Sequence, residues 1–212
     1  RSKDQNTFAN FMEAILQFSL LLMDFPRGER RININVAIIG LKSVLDSIPK
    51  DKILQQDSEL LSLLGRIKLS LGEAFSERSE NRWGDVLVNL EETIKCFEEG
   101  FAVFSYENNL DREWWASCQN ELGNVYCQRS KIKGDSNDIE KAINAYESAL
   151  KVYPEKTLDW AMVQMNLGNS YCHRKGDPLE NLTQAIKCYK NSLTVRKQET
   201  YPTEWADVQI NL

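Results

Sequence analysis

A chain of 212 residues, 42% hydrophobic and 27% charged, is long enough to bury a core and by length forms one domain or at most two. Its formal charge of −5 comes from 31 acidic against 26 basic side chains. No basic tract or stripe interrupts that balance, which argues against nucleic acid as a partner.

The first element is the segment Phe8 to Phe25, FANFMEAILQFSLLLMDF, apolar nearly all round and interrupted chiefly by Glu13, Gln17 and Asp24. A helix at the end of a stack of helices should show a polar outer face, so this one is expected to be covered. The candidate covers are an upstream repeat, another domain, or a second copy, meeting Phe8, Phe11, Ile15, Phe18 and Leu22. A membrane span is disfavoured by Glu13 at mid-segment and by a matching helix at 31–47, and no membrane partner is expected.

Further along, a two-block unit recurs. Trp115, Trp160 and Trp205 follow one another every 45 positions. The first two are followed by Leu122-Gly123-x-x-Tyr126 and Leu167-Gly168-x-x-Tyr171, and the third by Leu212. The second block is Ala142-Ile143-x-x-Tyr146-x-x-Ala149-Leu150, then Ala185-Ile186-x-x-Tyr189-x-x-Ser192-Leu193. Apolar residues at three- and four-residue steps make each block an amphipathic helix.

Between blocks stands a glycine followed by an acid: Gly134-Asp135, Gly176-Asp177, earlier Gly84-Asp85, and Gly28-Glu29. Glycine lets the chain leave a helix in a left-handed conformation, and the acid caps the next one. Asp177-Pro178 joins such a cap to a proline at the first helical position. On these anchors GDVLVNLEETIKCF (84–97) overlays GDPLENLTQAIKCY (176–189) without a gap, and GERRININVAIIGL (28–41) follows the same frame. In the weaker units Lys68 stands where the tyrosine belongs, and Gln17 where the glycine belongs.

The expected organisation is a degenerate helix pair at 1–50, a second at 51–106, repeats at 107–155 and 156–200, and the first helix of another at 201–212. A start at Arg1 and a stop within a repeat predict a piece of a longer polypeptide. Helix pairs of this kind cannot bury their apolar faces alone, so the fold class is all-α, an α-solenoid of stacked antiparallel helix pairs.

The motif Leu122-Gly123-x-x-Tyr126 with Ala142, Tyr146, Ala149 and Pro154 resembles the tetratricopeptide repeat. Gly123 to Ala142 spans 19 positions and Gly168 to Ala185 spans 17, so the units resemble the long variety of about 42–45 residues. The resemblance implies a right-handed superhelix with a concave groove that binds protein. Tandem units of this composition resemble those of bacterial, and especially cyanobacterial, proteins in which the array adjoins a caspase-like CHAT peptidase or a signalling NTPase.

On the groove face that the resemblance implies lie Asn124 and Asn169, which follow the two glycines, and Asn166 and Asn211, which precede the two leucines. Asn120, Gln128, His173 and Arg66 extend that surface by helical spacing. An amide side chain offers both a donor and an acceptor to a peptide unit, whatever its sequence. The other reading is that some of these asparagines cap or bridge helices inside the stack. A clamp for a C-terminal carboxylate would need lysine and arginine where Asn120 and Met165 stand.

His173, the sole histidine, has no nucleophile, triad order or phosphate loop to serve, so no catalytic residue and no enzyme is predicted. Of the five cysteines, Cys127 and Cys172 share one repeat position, and Cys96 and Cys188 share another that holds Ala145 and Gly40 elsewhere. Such slots are for small side chains, and without a C-x-x-C no metal or cofactor is expected. An odd count without a secretion signal predicts free thiols in the cytoplasm. Trp115, Trp160 and Trp205 are expected in the core, whereas Trp83 and Trp114, which have no repeat counterpart, are expected as exposed contacts.

Three functions follow: a scaffold or sensor holding a polypeptide in its groove, a regulatory arm of a peptidase or NTPase, and a self-assembly module.

Overall fold

The computed structural model describes residues 3–25, 29–48, 58–103 and 112–212. Among them are nine α-helices and no strand: α1 (Lys3–Asp24), α2 (Arg30–Ser47), α3 (Ser58–Glu80), α4 (Val86–Phe101), α5 (Arg112–Lys133), α6 (Asn137–Leu150), α7 (Leu158–His173), α8 (Pro178–Leu193) and α9 (Pro202–Asn211). The chain clusters into two compact units, Arg1–Glu107 and Asn108–Leu212. In unit 1, α1 packs on α2, α2 on α3 and α3 on α4; in unit 2, α5 pairs with α6 and α7 with α8, while α6–α7 and α8–α9 contacts join successive pairs. The fold class is all-α, with helices packed pair by pair in chain order.

The turns show why these pairs form. Gly84, Gly134 and Gly176 have φ of +88°, +70° and +130°, in the region that a side chain disfavours. Space is not the reason at Gly134 and Gly176, since an added Cβ would meet nothing within 4 Å. After two of these glycines an acid caps the next helix: Asp85 accepts from the Val88 amide at 3.1 Å and Asp177 from the Leu179 amide at 2.9 Å, with Pro178 opening α8. Each cap is worth about 1 kcal/mol. Gly28 lies outside the described residues.

The asparagine five residues after Gly84 and after Gly176 locks the turn. Asn89 and Asn181 are buried and donate from Nδ2 to the carbonyls of Trp83 (3.0 Å) and Arg174 (2.9 Å). In the repeat between them the slot holds Asp138, also buried, and Arg129 neutralises it with two hydrogen bonds of 2.5 and 2.8 Å. A bidentate guanidinium–carboxylate pair satisfies a buried charge that would otherwise be costly.

The pairs close through one repeated contact. A Cβ on Gly123 would stand 2.5 Å from the Tyr146 ring, and one on Gly168 would stand 2.6 Å from the Tyr189 ring. Unit 1 contains the same contact, with Gly72 and Phe97 at 2.5 Å. This corrects the frame read from sequence. The first-helix motif of this pair is Leu71-Gly72-x-x-Phe75, two turns beyond the position assigned through Lys68. Leu64-Gly65 also reads as a leucine–glycine pair, but the ring that selects the true glycine comes from another helix. Lys68 instead forms an ion pair with Glu99.

Unit 1 buries Met12, Leu16, Ile34, Leu41, Ile67 and Phe75 in one cluster, against which Phe8, Ile15 and Leu22 also pack. Trp115 and Trp160 are buried at the starts of their helices, and Val208 of α9 packs on Ala185 and Tyr189. The expectation of exposure for Trp83 and Trp114 does not hold. Both are half-buried, and Trp83 lies against the unit 1 cluster because its turn folds back over α3. Among the described residues no helix is long and apolar enough to cross a membrane.

Candidate functional site

The glycine–tyrosine contact also builds a polar ladder. Asn124 and Asn169 each follow the close-contact glycine of a first helix, so each amide sits beside the tyrosine that fills the glycine's space. Tyr146 donates its hydroxyl to Asn124 Oδ1 at 2.7 Å, and Tyr189 donates to Asn169 Oδ1 at 2.8 Å. With the oxygen so engaged, the Nδ2 group of each asparagine points away and has no hydrogen-bond partner among the described residues.

Burial, with the neighbouring thiols, raises both tyrosines above the usual phenol range. The donors that orient the amides therefore stay protonated at neutral pH. Cys127 lies 3.9 Å from the Tyr146 hydroxyl and Cys172 lies 3.5 Å from that of Tyr189. That contact is what the shared cysteine position provides.

Asn166 ties one repeat to the next, donating from Nδ2 to Asn120 Oδ1 (3.1 Å) and to Asn124 Oδ1 (3.3 Å). Asn120 is 2% exposed, which withdraws it from any groove surface. Its amide is a bridge between helices because the turn of α5 that carries it is covered. Asn211 stands one repeat after Asn166 and is exposed on α9. Gln128 is half-exposed on α5. Arg66 belongs to unit 1, where Glu13 accepts from its guanidinium at 3.1 and 3.4 Å, so it is no part of this ladder.

His173 ends α7 and is exposed, with Nδ1 donating to the Asn169 carbonyl at 2.7 Å. This leaves Nε2 facing outward. Beside it opens a cleft of about 260 Å³ whose lining includes Cys127, Lys131, Ile139, Asn169, His173 and Lys175. That is below the ~300–1,000 Å³ of small-molecule sites and suits a single side chain. The two lysines were not singled out from sequence, although Lys175 directly precedes Gly176 and Lys131 lies three residues before Gly134.

Cys96, Cys118 and Cys188 are buried and form no disulfide. Burial pushes the Cys96 thiol up to about 12 and that of Cys188 to about 11. Among the described residues no three His, Cys, Asp or Glu side chains converge as a metal site.

Paired helices, turn glycines and a glycine–aromatic contact that recurs from pair to pair define a helical-repeat protein. Residues 123–156 match the family model of the tetratricopeptide repeat, and helices paired in the same way lie on either side of that segment, which supports a tetratricopeptide repeat protein. The family serves in general as a protein-interaction scaffold. No curated protein matches the sequence.

Proposed function

We propose that unit 2 holds an extended segment of another polypeptide along α5, α7 and α9. Asn124 and Asn169 donate from Nδ2 to backbone carbonyls of that segment. Asn211, the counterpart of Asn166 one repeat on, adds an exposed amide on α9, Gln128 and His173 flank the line, and the cleft beside His173 takes one side chain. The observation that carries this reading is the pair of tyrosine–asparagine hydrogen bonds. They orient two amides alike in consecutive repeats and leave both donors unused. A donor held in place by packing loses little entropy on binding.

The test separates the amide's two ends. Asn124→Asp with Asn169→Asp keeps an oxygen for each tyrosine and removes the outward donor. Peptides selected by the wild-type chain from a random display library would be titrated against both proteins at high salt, where the added charge is screened. Two lost hydrogen bonds at roughly 1 kcal/mol each weaken binding on the order of thirtyfold. If the folded wild type selects no peptide, or if the double variant binds the same peptides equally well, the proposal fails.

A further inference from the structure

The apolar segment at the start of the chain divides into two faces. On one, Met12, Leu16 and Met23 are buried in the unit 1 core, with Ser19 buried beside them. On the other, Phe11, Phe18, Leu21 and Phe25 are each more than half exposed, and Ala14 is exposed with them. Positions 11, 14, 18, 21 and 25 alternate steps of three and four, the spacing of a helix–helix seam. The neighbouring helix repeats the pattern: Ile32, Val36 and Ile39 of α2 are exposed, and the next position in the stripe is the small, exposed Ser43.

The two stripes run side by side. Gly40 of α2 faces Ile15 and Ser19 of α1, since a Cβ there would lie 3.5–3.6 Å from them. The two helices run antiparallel, so helical geometry then places Ile39 level with Phe18 and Val36 level with Leu21 on the side of the hairpin away from α3. This side carries no charge across its centre. Of the residues expected to meet a cover, Phe8, Ile15 and Leu22 are already packed on the unit 1 cluster, so only Phe11 and Phe18 belong to the open face.

We infer that this face is an isologous interface with a second copy of the chain, closing a four-helix bundle of two α1–α2 hairpins. The area is right for it. Three half-exposed phenylalanines and four exposed aliphatic side chains offer roughly 600–700 Å² per copy, close to the ~800 Å² per partner of a stable interface. The charges at the margins agree. The outer margin of α1 bears Asp24, and that of α2 bears Arg31. A two-fold axis along the helices lays α1 of one copy on α2 of the other, every neighbour antiparallel, and brings each Asp24 beside an Arg31. A face matched to itself in hydrophobicity, spacing and charge closes as a dimer and does not continue as a fibre.

The interface lies in unit 1 and is independent of the peptide site proposed in unit 2. It is tested on the whole chain by sedimentation and light scattering over a wide dilution series. The expected mass is twice the 24.4 kDa of one chain, falling twofold on dilution. Phe18→Glu with Ile39→Glu should halve the mass at concentrations where the wild type is dimeric. Circular dichroism of that variant should be unchanged, since both side chains are more than half exposed. Because the change is at the surface, a milder Phe18→Ser with Ile39→Ser serves if the charged variant unfolds. A wild type that is monomeric throughout overturns the inference and assigns the face to a segment of some other chain. So does a dimer that survives both variants, or an assembly that grows past two.

Discussion

Unit 1 and unit 2 share one packing contact and differ by an oxygen atom. In unit 1 the ring over the first-helix glycine is Phe97 and the residue after Gly72 is Glu73; in unit 2 the rings are Tyr146 and Tyr189 and the following residues are Asn124 and Asn169. The glycine–aromatic contact thus holds a helix pair together in both units. Only where the ring carries a hydroxyl does it also orient an amide. The shared part is architecture, and the added oxygen with its asparagine is what makes unit 2 the candidate binding surface.

The strongest way to break this comparison is to remove the ring. Phe97→Ala and Tyr146→Ala should each cost about 3–5 kcal/mol in denaturant unfolding, as for other buried aromatics. If Phe97→Ala were nearly neutral, the contact would not be shared.

Filling the glycine is the next largest effect. Gly72→Ala and Gly123→Ala should each destabilise by about 1–3 kcal/mol through overpacking. Gly40→Ala provides the contrast, because its nearest neighbours lie at ordinary van der Waals distance. There the gain in helix propensity, about 0.5–1 kcal/mol, should prevail.

Exchanging only the oxygen sharpens the comparison. Tyr146→Phe should cost about 1 kcal/mol in stability and also weaken peptide binding, because the Asn124 amide loses the bond that orients it. Phe97→Tyr should add no binding, since Glu73 follows Gly72 where an asparagine would be needed.

The smallest effect is a matter of pH. The Cys96 thiol, ordinarily near 9.0, is held at about 12 by burial. Below pH 9 both folded and unfolded chains keep that proton, and stability is at its full value. As pH rises from 9 through about 12 the unfolded chain ionises first, so the unfolding free energy should fall. Thiol labelling at neutral pH should in turn modify the exposed Cys172 well before Cys96.

How far these features were legible depends on how local their causes are. The helix pairs, their turns and the caps at Asp85 and Asp177 could be read directly, since glycine conformation and N-capping involve residues a few positions apart. The asparagine positions were legible through the repeat. The role of each was not: Asn120 and Asn124 lie four residues apart on one helix, yet one is buried as a bridge and the other holds a donor outward. Arg66 sat at the right helical spacing and was claimed instead by Glu13, 53 positions away. Trp83 looked like an unassigned aromatic until a turn brought it onto the unit 1 core.

By itself the sequence determined an all-α chain of helix pairs and the positions that recur from pair to pair, because periodicity, glycine turns and caps act over one or two helical turns. Tertiary structure alone decided which of two leucine–glycine pairs is the packing glycine of α3, since the choice is made by a ring 25 positions away. It also decided which half of α1 is core and which half is open, and which end of each asparagine is spent. Those outcomes depend on what a side chain meets across the helix interface, and no spacing along the chain records that.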